Sequence, residues 1–267
     1  MQLRFSLYKT FKIIINMKIQ ALSKILILGI TFSFFSCGDD DVPEVLPTQN
    51  IVELAQANGF NALAAALTRA DLIDTFTGAG SYTVFAPTDA AFTALLAAIG
   101  QTSVDDVPVS VLTEILKYHV VGSKVLSGDI SDGDVATLEG TTVALSTAGG
   151  ITVNGVNVIS PFDVEATNGV IHTIDQVLVP ASIAQFVDTV LEPAYFNVNF
   201  STLISAAVKA DVVSLLLTTP NLTIFAPTND AFTASGIDPA AVAAATLGDY
   251  LSYHVVTSKV LSTGIPR

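Results

Sequence analysis

A twelve-residue block occurs twice in this chain. TVFAPTDAAFTA at 83–94 returns as TIFAPTNDAFTA at 223–234, identical at nine of 12 positions and offset by 140 residues. Upstream, at the same offset, Phe60, Leu63, Ala70 and Asp71 return as Phe200, Leu203, Ala210 and Asp211. Downstream, LKYHVVGSKVLS at 116–127 returns as LSYHVVTSKVLS at 251–262, ten of 12 identical, at an offset of 135. The second copy is therefore five residues shorter between its blocks. Solenoid repeats run about 20–50 residues, so this longer period describes two tandem copies of one globular domain. The first copy is expected at 48–182 and the second at 183–267. After its second block the first copy continues from Gly128 to Pro180, whereas the second has only five more residues, to Arg267. Residues 183–267 are thus expected to be a C-terminally truncated copy, marginal as a monomer and with open strand edges.

The local pattern gives the class. IVELAQANGFNALAAALTRADLIDTF at 51–76 places Leu63, Ala66, Leu67 and Ala70 at helical spacing, so two helices, or one broken near Asn58-Gly59, are expected. SYTVFAP at 81–87 is a strand closed by Pro87, and Thr88 or Asp89 is a natural N-cap for the helix that follows. VSVLTEILKYHVV at 109–121 reads as a helix running into a strand. From Gly128 to Pro180 short β-branched runs alternate with Gly, Asn and Asp turns, and Asn154-Gly155 is a two-residue type I′ hairpin signal. Helices first and strands later make an α+β domain.

The N-terminus reads as an address. Residues 25–35, ILILGITFSFF, follow Lys18 and Lys24 and are too short to span a hydrocarbon core, which takes about 20 residues. Their length and basic flank fit a signal peptide over 1–36, with Met17 as an alternative start. Ser36 and the lone cysteine, Cys37, follow at once and resemble a bacterial lipobox, although Phe34 and Phe35 depart from its usual Leu and small residue. Cys37 is the expected lipid-attachment site, and residues 37–47 a lipidated tether. Gly38-Asp39-Asp40-Asp41 resembles the export signal of outer-membrane lipoproteins displayed on the cell surface. Beyond residue 36 the chain has six basic residues against all 24 acidic ones, a net charge of −18. Such a body repels phosphate backbones, so no nucleic-acid partner is expected, and membrane attachment must come from the anchor on Cys37.

The blocks resemble the fasciclin domain. Its first signature is similar to TVFAPTDAAF at 83–92, its Tyr-His pair to Tyr118-His119, and its last signature to NGVIHTIDQVLVP, Asn168 to Pro180. The second copy matches at 223–232 and at Tyr253-His254 but has no counterpart of the last signature. The resemblance implies a twisted β-sandwich or wedge with surrounding helices, complete once and partial once. It also implies adhesion outside the cell, with an extracellular protein, a polysaccharide or a second copy as partner. In animal matrix relatives an Asp-Ile pair and a Tyr-His segment are binding elements. The matching candidates here are Asp163, Val164, Tyr118 and His119.

The residues offer little for catalysis. The three histidines, His119, His172 and His254, come with no HExxH, no GxSxG and no second cysteine. His119 and His254 are repeat equivalents, which points to a shared structural role. Asp89 is replaced by Asn229 in the second copy, and an amide cannot serve as a general acid. No catalytic residue, metal site or cofactor is expected. A periplasmic or surface small-ligand carrier is the alternative and would need a large apolar pocket in the first copy. A secreted hydrolase has no region left to house it once both copies are assigned.

Overall fold

The first helix starts where side chains can satisfy its free N–H groups. Asn50 Oδ1 accepts from the Glu53 N–H at 3.0 Å, and a Glu53 carboxylate oxygen accepts from the Asn50 N–H at 2.9 Å, a complete capping box. The computed structural model describes residues 46–261 and 263. The expectations for the signal peptide, Met17, Cys37 and the acidic run fall on residues outside those described.

Residues 51–77 form three helices: α1 (Ile51–Ala57), α2 (Asn61–Arg69) and α3 (Ile73–Thr77). The expected break is at Gly59, where φ is +82°. Sequence periodicity missed a second break at Asp71, where φ is 54°. There the N–H groups of Asp71 and Leu72 turn back to Thr68 O and Leu67 O at 3.2 and 3.0 Å, the hydrogen bonding of a Schellman cap. Asp tolerates this left-handed conformation, and buried Leu67 and Leu72 lie on either side of it. The second copy repeats the device at Asp211, φ 57°.

One seven-stranded sheet follows. Its strands are β1 (Tyr82–Pro87), β2 (Val120–Val121), β3 (Gly133–Ala136), β4 (Thr142–Ser146), β5 (Thr152–Val153), β6 (Val156–Ala166) and β7 (Gly169–Ile174), in the order β2-β1-β7-β6-β5-β4-β3. Between β1 and β2 the chain forms α4 (Asp89–Ala98), capped by Thr88, and α5 (Val109–Tyr118). The β1/β7 pair is parallel, with Phe85 opposite His172, and the other pairs are antiparallel. A bridge between Val121 and Thr137 joins the two ends of the sheet, so it rolls over on itself. Asn154 and Gly155, at φ 51° and 79°, make the expected two-residue hairpin.

This roll places β1 and β7 between two cores. Val84, Ala86 and Ile171 join the helix-side core with Leu63, Phe76 and Leu116. Phe85 and Ile174 join a second core inside the roll with Val143, Leu145 and Val153. The α+β class is as expected.

The second copy contains α8 (Ser201–Lys209), α9 (Val213–Thr218), β8 (Thr223–Ile224), α10 (Asn229–Ser235), α11 (Ala244–Ser252) and β9 (Val255–Val256). Its own core consists of Leu203, Ala206, Ala207, Leu247 and Leu251. Two short helices precede it, α6 (Ala181–Ala184) and α7 (Glu192–Tyr195). Their neighbourhood belongs to the first copy by packing: Ile183, Phe186, Leu191 and Phe196 are buried in the helix-side core. The repeat comparison puts the boundary near 182, but packing continues past it: Phe196 is buried in this core, and Val213, Leu216, Leu217 and Ile224 pack against it, partly buried. Burying a large apolar side chain contributes about 1.5–3 kcal/mol. A fragment 46–197 should therefore be more stable to urea than a fragment 46–182 by several kcal/mol. Equal midpoints and slopes in the two melts would refute that assignment.

Candidate functional site

The helix end at Tyr118-His119 and the irregular part of β6 at Asp163-Val164 hold the four sequence candidates. His119 caps the C-terminus of α5 and is buried. Its Nε2 accepts from the Leu178 N–H at 2.9 Å, so its Nδ1 carries the proton donated to Ile115 O at 2.7 Å. The ring is therefore neutral. Burial pushes its pKa down from 6.5 to about 4, against the opposing pull of the Ile115 carbonyl.

Tyr118 is buried as well. Its hydroxyl donates to Thr142 O at 3.1 Å and accepts from Asn154 Nδ2 at 2.8 Å. Asn154 Oδ1 in turn accepts from the Ala144 N–H at 2.8 Å. The hairpin turn thus also clamps the end of α5. Sequence reasoning missed this second role. The only signal for it was the choice of Asn rather than Asp, since a carboxylate could not donate to the hydroxyl.

Asp163 follows a register shift in β6 between Ile159 and Val164 and has φ 56°. Its carboxylate accepts from the Ser127 N–H at 2.7 Å and from the Ser127 hydroxyl. Burial alone would raise its pKa, but the two bonds from Ser127 prevail and hold it below the usual carboxylate value. The Asp163 N–H donates to His172 Nδ1 at 3.3 Å, and His172 Nε2 donates to Val125 O at 2.9 Å. Nδ1 is then an acceptor, so the 3.8 Å approach of Asp163 Oδ1 to His172 Nδ1 is not an ion pair. Val164 pairs with Ile171 and packs, half-buried, against the helix-side core.

The four candidates thus do not converge on one cleft. Tyr118 and His119 face inward, and Asp163 and Val164 sit on a strand whose exposed large apolar residue is Phe162, 49% accessible. Asp89 does not cap its own helix. Thr88 does so, accepting from the Ala91 N–H at 3.1 Å. Asp89 instead accepts from the Ala62 N–H at 2.9 Å and from Asn61 Nδ2 at 3.0 Å, capping α2 from a distance. No cluster of three or more metal-ligating side chains occurs among the described residues.

The fasciclin domain model matches residues 58–180 and 198–267, well over half of the chain. The chain belongs to the fasciclin domain family. A Synechocystis sp. protein, sll1483, is 42% identical over 132 residues, 49% of this chain and 73% of that protein. A second, sll1735, is 41% identical over 131 residues, 48% of this chain and 96% of that protein. A solved FAS1 domain pair from the insect cell adhesion molecule Fasciclin I is similar over 75% of this chain and 73% of that chain. Its identity is 20% and its TM-score 0.36.

In this fasciclin domain His119 sets an acid limit. The folded state holds the ring neutral with its pKa near 4, while the unfolded ring titrates near 6.5. As pH falls below about 6.5 the unfolded state takes up the proton first. Stability should then drop by up to about 1.4 kcal/mol per unit towards pH 4. Urea melts between pH 7.5 and 5 should show this slope. A His119→Gln variant should be less stable at pH 7.5 and flatter across the window. An unchanged slope in that variant would assign the acid sensitivity to another group.

Proposed function

We propose that this chain is a non-enzymatic adhesion module. It is displayed at the outer surface of a bacterial cell from a lipid on Cys37 and binds an extracellular protein or polysaccharide. Fasciclin family membership carries this reading, since the family acts in cell adhesion and extracellular interaction. The interior of the first copy supports it. Its buried Asn168, His119 and His172 are hydrogen-bonded to the backbone, and the void lined by Ile51, Leu63, Phe76, Val84 and His119 measures about 10 Å³. That is room for one water at most, which weighs against the small-ligand carrier. The acidic body favours a partner other than a nucleic acid. No helix among the described residues is long and apolar enough to cross a membrane.

The binding face we assign is the irregular stretch of β6, where Phe162 is exposed beside Asp163 and Val164. Ser127 and His172 fix its backbone. Tyr118 and His119 would act from within, holding the sheet that carries it. An exposed aromatic on a rigid strand is the kind of anchor that dominates interface energetics. The purified chain on an array of matrix proteins and polysaccharides should bind at least one class saturably. Phe162→Ser should weaken that binding about tenfold or more, equivalent to at least 1.4 kcal/mol. Mass spectrometry of membrane-extracted protein should find Cys37 acylated and N-terminal. No binding to either class, or binding indifferent to Phe162, would contradict the assignment.

A further inference from the structure

The two copies part where the second is five residues shorter. Fifteen residues separate Thr93 from Val109, and ten separate Thr233 from Ala244. In the first copy α4 runs on to Ala98, and Leu96 and Ile99 pack against the helix-side core, as does Ala62. In the second copy α10 stops at Ser235, and Gly236 turns the chain away in the left-handed conformation, φ 68°. Gly236 is the equivalent of Leu96, and Thr202 of Ala62. An apolar seam in the first copy is thus replaced by a hollow of about 400 Å³, open to solvent, between α8, α10 and the loop that follows α10.

The hollow lies on one face of α10 only. Phe232, Thr233 and Gly236 line it, the equivalents of Phe92, Thr93 and Leu96. The chain after β7 meets the other face of α4, at Ala91, Ala94 and Leu95. At 3.6 residues per turn these two sets are about half a turn apart. The hollow is therefore a product of the shortened loop and does not depend on what lies beside β8.

Its walls are held by hydrogen bonds. Asn229 Oδ1 accepts from the Thr202 N–H at 2.9 Å, and its Nδ2 donates to Val198 O at 2.9 Å and to Ser201 Oγ at 3.1 Å. Lys209 Nζ donates to Pro239 O at 2.9 Å and to Ala240 O at 2.7 Å, which pins the loop. Asp238 Oδ1 accepts from the Ala240 N–H at 2.9 Å. Asp238 Oδ2 and the Thr202 hydroxyl have no hydrogen-bond partner among the described residues. The Thr233 hydroxyl donates to Asn229 O at 3.1 Å and can still accept. Phe232, Ile237 and Pro239 supply apolar surface.

These groups select a ligand chemistry. Small-molecule sites of about 300–1,000 Å³ combine apolar lining with a few placed polar groups. A carboxylate acceptor, two hydroxyls and an aromatic side chain suit a ligand with many hydroxyl donors and an apolar C–H face. Asp238 and the acidic body oppose an anion, and the Lys209 ammonium under the same loop opposes a cation. One carboxylate also falls short of the roughly six to eight oxygens that calcium takes. We propose that the hollow between α8 and α10 binds a neutral hexose unit of a polysaccharide. It is separate from the Phe162 face, so either site can fail without the other.

The probes are cellohexaose, maltohexaose, laminarihexaose and mannohexaose, each titrated into the full chain by calorimetry. At least one should bind saturably at 1:1, with slowed amide exchange at 202–203 and 236–241. Asp238→Asn keeps the bond from Ala240 but replaces the free acceptor with a donor, and should weaken binding about tenfold or more. Thr202→Ala restores the first copy's residue and should weaken it about threefold or more. Thr202→Ala alone decides if Asp238→Asn speeds exchange of the sugar-free loop. Phe162→Ser should leave the affinity within about twofold. Absence of binding by all four sugars would overturn the proposal, as would unchanged affinity in Thr202→Ala. Loss of binding in Phe162→Ser, with protection at 160–166 in place of 236–241, would put the sugar on β6 and overturn it as well.

Discussion

Asn168 holds four chain segments at one point, two of them through its side-chain amide. Its Oδ1 accepts from the Ile51 N–H at 3.0 Å, at the start of α1. Its Nδ2 donates to Phe76 O at 2.7 Å and to Gly78 O at 3.1 Å, at the end of α3. Its own carbonyl accepts from the Tyr82 N–H at 3.0 Å, at the start of β1, and β7 begins with the next residue. Buried donors and acceptors left unpaired cost about 1–3 kcal/mol each, and no other side chain of that length both donates and accepts here. Aspartate cannot donate, and leucine can do neither. Gly169 then lets β7 close on β1. The two residues together set the parallel register on which both cores are built.

Much of this was legible in the sequence because it is local. The break at Gly59, the Thr88 cap and the Asn154-Gly155 hairpin each follow from a residue's own conformational preference. The α+β order followed from the helical spacing before residue 120 and the β-branched runs after it. What was not legible is set by distance in space. Nothing near Asp89 announces that it caps α2, although the exchange with Asn229 becomes intelligible once the geometry is seen. Each accepts from an N–H in the neighbouring helix, Ala62 or Thr202. The remaining atom of Asp89 accepts from Asn61, and that of Asn229 donates to Val198 O and Ser201 Oγ. Likewise, no periodicity says that Phe186 and Phe196 pack into the first copy's core, because the repeat comparison ends the unit before them. The third helix was missed because Asp71 carries its left-handed conformation without glycine.

The binding candidates show the same division. The resemblance to animal matrix relatives singled out Tyr118, His119, Asp163 and Val164 together. The fold separates two that stabilise the interior from two on an irregular strand beside Phe162. Both buried histidines act through hydrogen bonds to the backbone, His119 joining α5 to the chain after β7, and His172 joining β6 to the chain after β2.

The two copies provide an internal control for the account. Val120-Val121 and Val255-Val256 are identical in sequence, and Thr83 to Ala86 differ from Thr223 to Ala226 only by Val84 and Ile224. Their intrinsic exchange rates are thus closely matched, and any difference reports the strand beside them. Amide hydrogen exchange on the monomeric full chain measures it directly. If β7 and its Asn168 anchor stabilise the fold, amides at 83–86 and 170–174 should exchange slowest of all. Those at 223–226 and 255–256 should exchange at least about a hundredfold faster, as expected of a segment that opens locally. Equal protection in the two copies would show that the ladder is stable without β7, and would contradict the central role given to that strand.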